Sequence, residues 1–211
     1  GLEVSYRELV GAFAELQDVR TFGEERDPLS DYSADGIDLH QAYARLTPGD
    51  WDMKLGRQEL ALLNQRLLGK LDFAEQGRAF DGISAALSRA DARLDLIWAL
   101  VRDRSAQPST DPAAPLGDGK RHLGALHVGH QGLRGLEPHL LAIVEGDTSS
   151  DWVRITAGAL LEGKLGQGIR FDYGAEGYYQ WAKDGASMRT HAYLFSLRSR
   201  AVAELDSEPS L

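Results

Sequence analysis

Ile169-Arg170-Phe171-Asp172-Tyr173-Gly174-Ala175-Glu176-Gly177-Tyr178-Tyr179-Gln180-Trp181 alternates in character along most of its length. Ile169, Phe171, Tyr173, Ala175, Tyr179 and Trp181 fall on one face of an extended chain, and Arg170, Asp172, Glu176 and Gln180 fall on the other. A helix would mix the two sets around its circumference, whereas a strand keeps them apart because successive side chains point to opposite faces.

The same rhythm recurs on both sides of this stretch. Segment 92–102 sets Leu94, Leu96, Trp98 and Leu100 opposite Arg93 and Asp95, and segment 82–88 sets Ile83, Ala85 and Leu87 against Gly82, Ser84 and Ser88. Segment 10–18 places Val10, Ala12, Ala14 and Leu16 opposite Glu15 and Gln17, and segment 189–197 aligns His191, Tyr193, Phe195 and Leu197. Segments 36–46, 51–60, 121–130, 136–145 and 152–161 read as strands with less clean alternation. Short turns such as 89–91, 129–135 and 162–168 alternate with longer polar excursions at 21–35, 62–77 and 103–120, the asymmetry that outer-membrane barrels show between their two ends. At ~19 residues per strand with its connection, the chain holds about eleven strands.

The expected fold is therefore all-β, an antiparallel meander of about eleven strands forming part of a large transmembrane β-barrel. It is expected as one porin-like domain over 1–211, a fragment of a larger barrel. The stretch 198–211, which loses the alternation, forms its tail.

Composition narrows the alternatives. The chain has 211 residues, 43% hydrophobic and 8% aromatic, totals that suit a soluble domain and a polar-lumened barrel equally. A net charge of -9 with no basic cluster argues against a nucleic-acid partner, since phosphate binding relies on grouped Lys and Arg. The absence of cysteine removes disulfides, zinc-thiolate sites and thiol nucleophiles. No apolar run approaches the ~20 residues of a membrane helix, so a membrane protein made of this chain crosses with strands.

Catalytic signatures are missing as well. There is no Gly-rich phosphate loop, nucleophile elbow or Ser-His-Asp pattern. Asp172 and Glu176 lie four residues apart on a strand, ~13 Å, too far for a glycosidase acid and base. His122, His127, His130 and His139 sit on two strands with spacings that do not converge on one face, and no Cys supports them. No catalytic residue, metal or cofactor is expected.

Particular motifs carry a resemblance. Glu15-Leu16-Gln17-Asp18-Val19-Arg20-Thr21-Phe22-Gly23, Leu39-His40-Gln41-Ala42-Tyr43 and Leu55-Gly56-Arg57-Gln58-Glu59-Leu60 resemble, in order and spacing, successive strands of the alginate export family. Gln65-Arg66-Leu67-Leu68-Gly69 and Gly77-Arg78-Ala79-Phe80-Asp81-Gly82 look like the loop and re-entry strand that follow. Asp172-Tyr173-Gly174-Ala175-Glu176-Gly177-Tyr178-Tyr179-Gln180 is similar to a later strand. Region 103–165 matches in rhythm alone, and the pattern stops after Ser196.

The resemblance implies a multi-pass, eighteen-stranded barrel of the bacterial outer membrane through which an anionic uronate polysaccharide leaves the periplasm. Its implied partners are an anionic polysaccharide or small anionic solute, outer-membrane lipid and periplasmic export proteins. A general or small-acid porin is the alternative within the same fold. From another class comes a soluble carbohydrate-binding β-sandwich, whose apolar faces would be buried against each other.

A polyanion path needs inward-facing cations, because guanidinium forks match carboxylates and pass them from site to site. Lys54, Arg57, Arg66, Arg78 and Arg170 are the candidate substrate-binding cations, and Glu15, Gln17, Asp18, Asp172, Glu176 and Gln180 the lumenal carboxylates and polar groups. The same cations read equally well as partners of lumenal carboxylates. Alternation from Trp51, Met53 and Leu55 places Arg57 toward lipid, so a lumenal Arg57 requires a bulge near Gly56 or emergence of the strand above the membrane. Trp98, Trp152, Trp181, Tyr173, Tyr179, Tyr193 and Phe195 are expected in the interfacial girdle.

Overall fold

A computed structural model describes residues 1–7, 9–19, 36–70, 77–103, 120–132, 135–148, 150–166, 169–184 and 188–203. They form eleven strands: β1 (Leu2–Tyr6), β2 (Val10–Val19), β3 (Gly36–Leu46), β4 (Trp51–Glu59), β5 (Ala79–Arg89), β6 (Ala92–Asp103), β7 (Lys120–His130), β8 (Leu136–Asp147), β9 (Val153–Leu165), β10 (Ile169–Asp184) and β11 (Met188–Ala203). The strands make one sheet in chain order, and every neighbouring pair is antiparallel. The all-β meander read from the alternation is the fold. A sandwich needs two sheets packed face to face, and the single sheet of the described residues removes that alternative.

Alternation now becomes two surfaces. Leu55, Ile83, Leu96, Trp98, Leu126, Leu140, Tyr179 and Phe195 share the exposed outer face. Residues that alternate with the outer ones along the strands, including Gln58, Asp95, Ile97, His127, His139, Glu176 and Tyr178, are buried on the inner face. An apolar exterior over an inner face that mixes charged and apolar groups fits a strand wall between lipid and a partly filled lumen.

Connections follow the expected asymmetry only in part. The β1–β2, β3–β4, β5–β6, β7–β8 and β9–β10 turns lie at one end and are short. The opposite end carries the long connections after β2, β4 and β6, but also the short β8–β9 and β10–β11 connections. Excursions 21–35 and 104–119 lie outside the described residues.

Two local expectations need correction. Pairing of β10 with β11 continues to Ile169 and Ala203, so Arg198 to Ala203 belongs to a strand; its alternation was hidden because Arg198 and Arg200 alternate with small residues instead of large apolar ones. No register shift occurs at Gly56, where β4 pairs continuously with β3 and β5. The shifts fall elsewhere: His40 is the extra residue of β3 opposite Glu15 and Leu16, and Val101 is the extra residue of β6.

Glycine allows close packing on the inner face. Gly158 stands opposite Tyr178 in register, and a Cβ at Gly158 would lie 2.5 Å from the Tyr178 ring and 2.1 Å from the Gly177 carbonyl oxygen. The missing side chain lets the aromatic ring lie on the wall.

Candidate functional site

Beyond Glu59 the chain turns inward instead of continuing to the exterior. Leu63 and Gln65 adopt positive φ, 52° and 60°, which tightens the path into a compact turn. The Leu62 amide donates to the Leu68 carbonyl (3.1 Å), the Gln65 amide to the Leu62 carbonyl (3.0 Å), and the Arg78 amide to the Lys70 carbonyl (2.7 Å). Expected as a polar excursion, the segment carries Leu60, Leu62, Leu63, Leu67 and Leu68. Leu60, Leu62 and Leu68 are buried in one cluster with Phe80, Ile97, Ala99, Leu123, Ala125, Leu141 and Ile143 of the inner wall.

The tip of the segment reaches the far strands. Arg66 Nε lies 2.8 Å from Glu176 Oε1 on β10, Asn64 Nδ2 donates to Glu176 Oε2 at 2.9 Å, and the Arg66 guanidinium donates to Ser196 Oγ on β11 at 3.3 Å. On a flat sheet β4 and β10, six positions apart, would be separated by ~29 Å. Seven residues, even fully extended, span at most ~25 Å, and this segment is folded back on itself. The sheet is therefore curled, with its polar face inside and the segment crossing that interior.

A second polar chain runs along the inner wall beside the segment. Arg93 grips Asp95 through Nε and a terminal nitrogen (2.8 and 2.6 Å). Asp95 Oδ2 lies 2.7 Å from His127 Nδ1, and His127 Nε2 lies 3.1 Å from His139 Nδ1. The two imidazoles stack with centroids 5.3 Å apart. Thus two of the four histidines do converge on one face, because the β7–β8 register sets His139 opposite Gly129, one position along the inner face from His127. His122 instead stacks on Trp98. Among the described residues no group of three or more ligands gathers into a metal site.

The sequence-derived candidates divide by face and by partner. Arg66 lies at the tip of the inward segment and Arg170 on the inner face, where its Nε donates to Asp172 at 2.9 Å. The Lys54 ammonium sits 4.8 Å from the centre of the Tyr43 ring, which stacks on Phe13. Arg78, just ahead of β5, lies over Phe80 at 6.0 Å. Arg57 is not lumenal: it shares the outer face with Leu55 and Ile83, near the strand end, where it grips Asp81 at 3.0 and 3.2 Å and donates to the Leu39 carbonyl. Alternation placed it correctly, without a bulge.

Among the polar candidates, Glu15 accepts from Gln41 (2.8 Å) and Gln180 donates to Thr156 (2.9 Å). Glu176 is buried under Arg66 and Asn64, and Asp172 is held by Arg170. Gln17 and Asp18 lie in β2, with the Asp18 side chain outside the described residues. The girdle candidates Trp98, Tyr179, Tyr193 and Phe195 are on the outer face. Trp152 departs from that expectation: it lies in the β8–β9 connection with the Arg121 and Arg154 guanidinium groups over its ring.

Asn64, Arg93 and Asp95 were missed as site members. The polar face of segment 92–102 marked the last two as inward, but nothing in the spacing showed that an inward segment would lie beside them. Chemically, the arrangement is a wall of hydrogen-bonded charges and a basic tip, suited to passing a charged solute. The family described as Alginate export matches residues 2–198. No curated protein and no solved structure matches the chain.

Proposed function

The chain belongs to the alginate export family, a family of outer-membrane transport porins and not of enzymes, and on that premise we propose that its curled sheet is part of the wall of an export channel for an anionic polysaccharide. The outer face meets lipid, and the inner face, narrowed by residues 60–70, is the solute path. Chain 1–211 is one barrel segment in this reading. Passage is guided diffusion along a periplasmic concentration gradient, without a cofactor.

The observation that carries this reading is the position of Arg66. A guanidinium half exposed at the tip of an inward segment, with its partner Glu176 buried in the wall, presents a cation on the inner side of the curled sheet. A passing carboxylate can exchange with Glu176 on the same fork of donors, so the solute is held briefly and released without covalent chemistry. Lys54 and Arg170 extend the cationic path on the same face. The pairing of Arg170 with Asp172 and of Arg66 with Glu176 also suits a small-acid porin, in which balanced lumenal charge gives weaker selection.

Two measurements test the proposal. The full-length protein should fractionate with the outer membrane and be heat-modifiable on gels, as folded barrels commonly are. In planar bilayers, a uronate polymer should block ion current while a neutral glucan of equal length does not. Block by small aromatic or aliphatic acids without block by polyuronate would favour the porin alternative, and a soluble, detergent-indifferent protein would end both.

A further inference from the structure

At the short-turn end, the inner face carries two rows of charged residues. Lys164, Asp172 and Arg200 stand side by side across β9, β10 and β11, and Glu162, Gly174 and Arg198 form the next row. Gly174 has no side chain, so Arg198 lies across it: a Cβ at Gly174 would fall 2.7 Å from Arg198 Nε. Arg198 thereby reaches Glu162, while Arg170 holds Asp172 at 2.9 Å.

These two pairs use the carboxylates of both rows. Among the described residues, Lys164 and Arg200, both exposed, have no carboxylate within ion-pair distance. Glu137, opposite Glu162 on β8, has no cation within that distance either. All three line a cavity of about 430 Å³ together with Glu162, Asp172 and Arg198. The Glu162 and Arg198 row lies two strand residues, ~7 Å, from the Glu176 row that holds Arg66, and Lys164 and Arg200 lie four, ~13 Å, so the two cations stand apart from the tip.

We propose that this cavity is a mouth subsite for one carboxylate-bearing sugar unit, its carboxylate on Lys164 and Arg200 and its hydroxyls donating to Glu137. The donor set selects this class. A simple organic anion would meet the uncompensated charge of Glu137, and a neutral sugar would leave both cations unused. A sugar acid satisfies both halves, since a carboxylate acceptor suits hydroxyl donors and the two cations suit the acid group. Short turns face the periplasm in outer-membrane barrels, so the subsite would be the first met by an outgoing chain. This inference rests on the channel reading above.

The test uses the full-length protein in planar bilayers, with a uronate trimer added to one side at a time and maltotriose and acetate as comparison probes. Electrostatic capture governs encounter rates, so K164Q/R200Q should lower the trimer's blocking on-rate from the short-turn side by about tenfold, with a smaller fall from the other side. E137Q should shorten each trimer block several-fold, whereas acetate, relieved of the Glu137 charge, should bind no less well than to the wild type. Equal trimer on-rates in wild type and K164Q/R200Q would overturn the subsite alone, and the single variant K164Q provides the same comparison if the double variant does not fold. Longer blocks in E137Q would overturn the hydroxyl-accepting role. Absence of trimer block in the wild type from either side would instead remove the channel reading on which the subsite depends.

Discussion

Arg66, at the tip of an inward-folded segment, forms an ion pair with Glu176 on β10 at 2.8 Å, and Glu176 is almost wholly shielded, with 2% of its side chain exposed. Arg66 itself is 42% exposed. The carboxylate has Arg66, Asn64 and the Tyr178 hydroxyl for partners, while the guanidinium keeps nearly half of its surface exposed. Substituting Arg66→Ala should cost about 1–3 kcal/mol, discounted from a fully buried pair because one partner is solvated. Open-channel conductance and its noise should rise as the tip loosens. Glu176→Gln should give the same direction, and the exchanged pair R66E/E176R should recover part of the lost thermal stability; unchanged conductance in both single variants would show that the ion pair does not hold the constriction.

Leucine anchors give a second expectation. Leu60, Leu62 and Leu68 are buried against the inner wall, and truncating a buried leucine to alanine costs about 2–5 kcal/mol. The chain has no cysteine, so Leu68→Cys is a clean accessibility reporter for the segment. Adding Leu60→Ala should speed maleimide labelling of that reporter at least ~tenfold, since 1.4 kcal/mol is a factor of ten, while the heat-modifiable fold persists. Equal labelling rates would mean that the leucines do not fix the segment.

The same packing explains what the sequence concealed. Strands 169–181 and 82–102 were legible because their inner faces are largely polar or small and their outer faces apolar. Segments 121–130 and 136–145 alternate poorly because Leu123, Ala125, Leu141 and Ile143, on the inner face, are covered by the inward segment and are themselves apolar. Both faces of those strands then look alike to a pattern of period two. Arg57 shows the reverse case: alternation gave its true face, and motif likeness drew it inward. His127 and His139 could not be joined from spacing alone, because strand register across the 131–135 turn decides which residues meet.

Asp95 should set the tautomers of both inner histidines. As an ionised acceptor it accepts a hydrogen bond from the His127 Nδ1–H, which leaves His127 Nε2 to accept from His139 Nδ1. Asp95→Asn offers an amide donor in place of one oxygen and loses the charge that Arg93 grips. Imidazole 15N shifts should then show His127 moving to the Nε2-protonated form, with stability falling by about 1.5–3 kcal/mol. Retention of the Nδ1-protonated form in the variant would contradict this hydrogen-bond order.

Assignment of the outer face to lipid makes the last expectation directional. Leu126 is near the middle of β7, exposed and on the same face as Leu96 and Leu140. An arginine on the lipid face of a barrel costs about 2–4 kcal/mol at the bilayer midplane and little near the interfaces. Leu126→Arg should therefore lower folded, heat-modifiable yield and urea stability by an amount in that range. Gln180, on β10, bonds to Thr156 on the inner face, so Gln180→Arg loses one neutral hydrogen bond, about 1 kcal/mol, and keeps its charge in a water-filled lumen. In detergent micelles of matched thickness the ranking should persist; in a soluble fold without lipid Leu126→Arg would be the milder change, because an exposed arginine is readily solvated. Urea titration of both variants decides between these orders, and the order Leu126→Arg below Gln180→Arg is the one that a lipid-facing outer surface requires.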